Sequence, residues 1–109
     1  MKQTIKRLVR NISDHLKDVK MDCHYAKEEK EEGHSKLETA YISQAKDRIK
    51  MANSMLSELS TVLNDYENEY KKDEKYSEVT DEIMEGWECT YDILKEEISE
   101  ITKKDLSTV

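Results

Sequence analysis

Few side chains in this sequence are spaced for chemistry. Glu31 and His34 stand three apart, so on an unbroken helix both would face one spot and could share a divalent ion. His24, Glu28 and Glu31 recur at i, i+4 and i+7 and offer a second three-donor face, with Cys23 beside it. Cys23 and Cys89 are the only thiols, and nucleophilic use of either requires a histidine brought alongside by the fold. The chain has no glycine-rich phosphate loop, nucleotide fingerprint or zinc-finger spacing.

Each of these has a plainer explanation. Over its four residues, Glu31-x-x-His34 resembles the ligand pair of ferritin-like di-iron bundles. That resemblance implies a second Glu-x-x-His and two further glutamates facing it. The sequence holds no second copy, and Gly33 interrupts the first. With 25 acidic residues in 109, carboxylate triads such as Glu28 and Glu31 beside His24 arise by chance on a solvated helix face. Cys23 falls on an apolar seam, which favours burial over reactivity. The expectation is a chain that is not an enzyme and that uses no metal and no cofactor. A carboxylate/histidine metal bundle is kept as an alternative.

The elements that would position any site are all helices. Proline and phenylalanine are absent and only Gly33 and Gly86 interrupt a chain rich in helix formers. Ile5, Val9, Ile12, Leu16, Val19, Cys23 and Ala26 alternate steps of four and three, with Leu8 beside them. This is a heptad seam for a helix over residues 2–32. Leu37, Tyr41, Ala45, Ile49, Ala52, Leu56, Leu59, Leu63, Tyr66 and Tyr70 form the longest stripe, widened by Ile42, Met51, Met55 and Val62. Its breadth predicts a central helix over 35–70, packed on more than one side. Gly33 followed by Ser35-Lys36-Leu37-Glu38, a capping-box pattern, predicts a tight connection before it. Residues 71–75 lack an apolar member and read as the second connection. A third helix over 76–103 carries Tyr76, Val79, Ile83, Trp87, Tyr91, Leu94, Ile98 and Ile101 on one face, and 104–109 reads as a frayed tail.

Three long helices with short connections predict one domain: an elongated up-down-up three-helix bundle of the all-α class. So thin a rod leaves much of its flank bare, and a homodimer would cover it. Cys89 and Ile93 lie off the third stripe and would mark that contact. No run approaches the roughly 18 apolar residues of a membrane span, and no signal peptide is evident, so the expected location is cytoplasmic.

Charge is polarised along the chain, whose net charge is −7. Residues 1–21 carry six bases against two acids, and residues 73–101 carry eleven acids against two bases. Glu78, Asp81, Glu82, Glu85, Glu88, Asp92, Glu96 and Glu100 recur mostly at steps of three or four, an acidic stripe down the third helix. Like charges at i, i+4 destabilise a helix by a few tenths of a kcal/mol each, a cost that a basic partner would repay. The expected function is a small acidic interaction protein, an inhibitor or adaptor, that covers a basic and nucleic-acid-binding surface of a protein partner. Trp87 and Tyr91 would anchor the contact if their edges are exposed. Direct nucleic-acid binding is not expected: the Lys2, Lys6, Arg7 and Arg10 cluster is short and lacks interleaved aromatics. Neutralisation of the stripe by the basic first helix, or a purely structural oligomer, are the competing expectations.

Overall fold

A computed structural model describes residues 2–70, 77–104 and 106, excepting the side chains of Lys2, Tyr70 and residues 77–81. The described residues form three helices and no strand: α1 (Lys2–Glu31), α2 (Ser35–Tyr70) and α3 (Ser77–Lys104). The Cα envelope measures 63 × 18 × 15 Å, a rod slightly longer than the ~54 Å that 36 helical residues span at 1.5 Å each. No helix is long and apolar enough to cross a membrane, among the described residues.

The break between α1 and α2 falls where glycine permits it. Gly33 has φ of +82°, a left-handed conformation that only glycine adopts without strain. The N–H of His34 donates to the Glu29 carbonyl at 2.8 Å and that of Gly33 to the Lys30 carbonyl at 3.1 Å. Together these two bonds are a Schellman motif, which satisfies carbonyls left over at the end of α1. Glu38 N–H then donates to the His34 carbonyl at 3.0 Å. His34, rather than Ser35 as the capping-box pattern implied, is therefore the cap of α2, and Ser35 is its first helical residue.

The tight turn folds α1 back along α2, and this is the most extensive helix pair. Ile5, Leu8, Ile12, Leu16, Val19, Cys23 and Ala26 are buried against Ile42, Ala45, Ile49, Ala52, Leu56, Leu59, Leu63 and Tyr66. Ala26, Ala45 and Ala52 supply short side chains that let the two axes approach closely. Within α1 the seam shifts by one residue: Leu8 is buried and Val9 is half-buried. Both spacings, 5–8–12 and 5–9–12, keep to one helical face, and contact with α2 selects the first.

Arg48 reaches from α2 to α1 across this hairpin. Its Nε donates to Asp22 Oδ2 and its Nη1 to Asp18 Oδ2, each at 3.1 Å. Tyr25 and Tyr41 lie with ring centroids 5.5 Å apart nearer the turn.

α3 packs less closely. Met84, Leu94, Ile98 and Ile101 are buried, while Ile83, Trp87 and Tyr91 are half-buried. Met84, which the stripe did not include, is the deepest described side chain of its first half. Tyr76 lies outside the described residues, as do 71–75 and the side chain of Val79. Lys20 of α1 pairs with Glu97 of α3, an offset of 77 residues. With the same offset, Lys104 at the end of α3 comes level with Lys27, and the rest of the hairpin extends beyond α3. Leu37 sits in that overhang and is 49% exposed, against its expected place on the core stripe. Met51 is 50% exposed on a flank that neither neighbour covers, although it was read as widening the same stripe. Leu106 is buried in the core, so the tail read as frayed is tied down at that residue.

Candidate functional site: the acidic face and cleft of α3

At 100° per residue, the residues opposite Met84, Leu94, Ile98 and Ile101 are the acidic ones. Glu82, Glu85, Glu88, Asp92, Glu96 and Glu100 are all exposed; the side chains of Glu78 and Asp81 lie outside the described set. Among the described residues, none of these six carboxylates forms an ion pair. The one contact between the basic first helix and α3 among the described ion pairs is Lys20 with Glu97, beside the stripe. Lys6, Arg7 and Arg10 are themselves exposed and pair with none of the six. Among the described ion pairs, the basic first helix therefore does not neutralise these six carboxylates.

Two apolar groups share this face. Ile93 is 59% exposed and Cys89 is also exposed, one turn apart and flanked by Glu85, Glu96 and Asp92. Trp87 and Tyr91 are half-buried against the core, so each keeps an accessible edge.

Where α3 departs from α2, a cleft of about 490 Å³ opens between them. Leu63 and Met84 form apolar parts of its lining, Asn64 and Tyr91 contribute polar groups, and Glu88 and Asp92 of the stripe edge it. Sequence periodicity identified Glu88, Asp92 and Tyr91 but gave no sign that a concavity joins them to Asn64. A cleft arises from how far apart two helices pack, which no single-helix pattern records.

The histidines fall elsewhere. His34 Nδ1 lies 2.7 Å from Glu29 Oε2 and 3.6 Å from Glu32 Oε2. All three ligand atoms are within 4.8 Å of one another, the one such group of potential metal donors among the described residues. Glu31 does not take part: the left-handed turn at Gly33 sets His34 over Glu29 five residues back, whereas the three-residue spacing needs an unbroken helix. His24 Nε2 lies 3.0 Å from Glu28 Oε1, an exposed i, i+4 pair without Glu31. Glu29, Glu32 and His34 are the residues that could hold an ion. Charge pairing at the end of α1 explains the same geometry. Cys23 is buried and Cys89 exposed, so only Cys89 is accessible to solvent.

Compared with protein-family models, curated proteins and solved structures, the chain matches none.

Proposed function

We propose that this chain is a non-enzymatic interaction protein of the cytoplasm, an up-down-up helical bundle that docks α3 on a basic surface of a protein partner. Covering a nucleic-acid-binding face, as an inhibitor or adaptor, is the use that best suits a row of carboxylates at helical spacing. The observation that carries this reading is the bare stripe: six exposed carboxylates that form no ion pair among the described residues, in a molecule whose own first helix holds a basic cluster. Such an array attracts a cationic partner at long range and does so less as salt rises. Ile93 supplies apolar contact within the charged frame, and the partly exposed Tyr91 adds to it at the margin of the stripe.

The test is affinity capture with immobilised protein at low and raised salt, followed by mass identification and reconstitution with the purified partner. The reading expects a partner with a basic surface, lost at raised salt and lost when Glu85, Glu88 and Asp92 are all changed to Lys. Helicity of that triple variant, followed by circular dichroism, should be unchanged. Retention of the partner by the variant would overturn the reading.

A structural oligomer is the second reading, favoured by the exposure of Met51 and Ile93, each half or more accessible. Sedimentation velocity separates the two. A stable dimer unaffected by salt, together with no captured partner, would favour the oligomer.

A further inference from the structure

We infer that the α2–α3 cleft is an anchor pocket for an arginine side chain of the basic partner; this rests on the docking reading and specifies its chemistry. The cleft volume of about 490 Å³ falls within the roughly 300–1,000 Å³ of sites that take small ligands, ample room for one long side chain. Its lining is divided in the way an arginine is divided. Leu63 and Met84 line the cleft, and the small part of each that is accessible offers apolar contact to the three-methylene stem. Glu88 and Asp92, one helical turn apart on α3, are exposed carboxylates without a cationic partner among the described residues. They stand where a guanidinium would emerge from the stem and can accept its N–H groups. Tyr91, between them in sequence and half-buried, offers a ring on which a planar cation stacks, and the Asn64 side-chain carbonyl opposite offers a further acceptor.

Lysine satisfies this arrangement less well. Its ammonium is a compact, strongly hydrated charge, whereas the guanidinium is planar, more weakly hydrated and shaped for carboxylates and aromatic faces. The open stripe at Glu96 and Glu100 lies outside this cleft and distinguishes the two cations little. The cleft thus confers selectivity for arginine, and the stripe confers attraction.

The experiment is a titration of the full ¹⁵N-labelled chain with capped hexa-arginine and, separately, capped hexa-lysine peptides, followed by amide shifts. The expected result is binding of hexa-arginine tighter by about threefold or more, with shifts centred on Asn64, Met84, Glu88 and Tyr91. Asn64→Met, an exposed position filled with apolar bulk, should abolish the preference for arginine while leaving binding of hexa-lysine unchanged. Equal affinities, with shifts spread over Glu82, Glu96 and Glu100 and no response to Asn64→Met, would overturn the pocket and leave the docking reading standing. Absence of shifts with either peptide would overturn both.

Discussion

Arg48 Nε donates to Asp22 Oδ2 at 3.1 Å in the middle of the α1–α2 hairpin. Asp22 is the one buried charged residue among those described, 7% exposed in an otherwise apolar interface. The same guanidinium reaches Asp18 one turn earlier on α1, so a single side chain ties two successive turns of α1 to one point on α2. A carboxylate in that position is tolerable only while its partner is present. Truncating the partner strands the charge, at a typical cost of 3–5 kcal/mol for a fully buried pair. The Arg48 side chain is 29% exposed, so solvent compensates in part. Arg48→Ala should therefore lower stability by about 2–3 kcal/mol in urea melts. Arg48→Met combined with Asp22→Leu should recover most of that loss. If the double variant is no more stable than Arg48→Ala, charge stranding is not the cause.

His15 Nδ1 is buried with no hydrogen-bond partner among the described residues. An orphaned polar atom costs about 1–3 kcal/mol relative to a satisfied one. His15→Leu keeps a side chain of comparable reach without that atom and should raise stability by about 1 kcal/mol. An upward shift of several degrees in the thermal midpoint would report it. A decrease would mean that His15 has a partner in solution, such as a bridging water.

How much of this could be read from residue spacing depends on what each position answers to. Ile5, Ile12, Leu16, Ala45, Ala52 and Leu59 are buried as their periodicity implies, because helical period and one dominant neighbour determine them. Gly33 ends α1 as expected, because only its backbone conformation is at stake. Leu37, Met51 and Leu106 differ from expectation for a shared reason. Their burial depends on where another helix stops, how wide its cover is, or where a tail returns, and these are tertiary facts. For the acidic face, Glu82 through Glu100 were legible as a stripe, but the lack of ion pairs to it among the described residues and the cleft at Asn64 required all three helices in place. The Glu31–His34 pairing failed because a turn replaced the helix that its spacing presupposed.

The two glycines should respond to alanine with opposite signs. Beyond the adjoining backbone, no atom of the described residues lies within 4 Å of where a Cβ would sit at either Gly33 or Gly86, so neither substitution is limited by space. Gly33 has φ of +82°, and alanine there takes on left-handed strain of about 1–2 kcal/mol. Gly86 lies inside α3, where glycine is worse than alanine by about 0.8–1.0 kcal/mol. Gly33→Ala should thus destabilise and Gly86→Ala stabilise, both measurable from denaturant midpoints at constant slope. A stabilised Gly33→Ala would mean that the helix runs on through the turn.

Leu106 is 7% exposed beyond the end of α3. Burying a leucine side chain contributes about 1.5–3 kcal/mol, and part of that offsets ordering the residues that lead to it. Ending the chain after Lys104, or changing Leu106→Ser, should cost about 1–2 kcal/mol and increase amide exchange around Ile98 and Ile101. Unchanged exchange there would show that the tail contributes nothing to the packing of α3.

Repulsion within the stripe gives a separate, partner-free prediction. Glu88 and Asp92, Asp92 and Glu96, and Glu96 and Glu100 stand four apart on one exposed face, and Lys95, the one base within that stretch, forms no ion pair with them among the described residues. Each such pair costs a few tenths of a kcal/mol at low ionic strength, and the cost fades as the screening length shortens with salt. Asp92→Asn with Glu96→Gln removes the charge from all three pairs. The double variant should therefore be more stable than the parent by about 0.5–1 kcal/mol at low salt, with the difference shrinking as salt is raised. The same variant should bind a cationic partner more weakly, so stability and docking would move in opposite directions. That opposition is the expected signature of a charge array maintained for association. A variant that gains no stability at low salt would show that the stripe is too well solvated to carry strain.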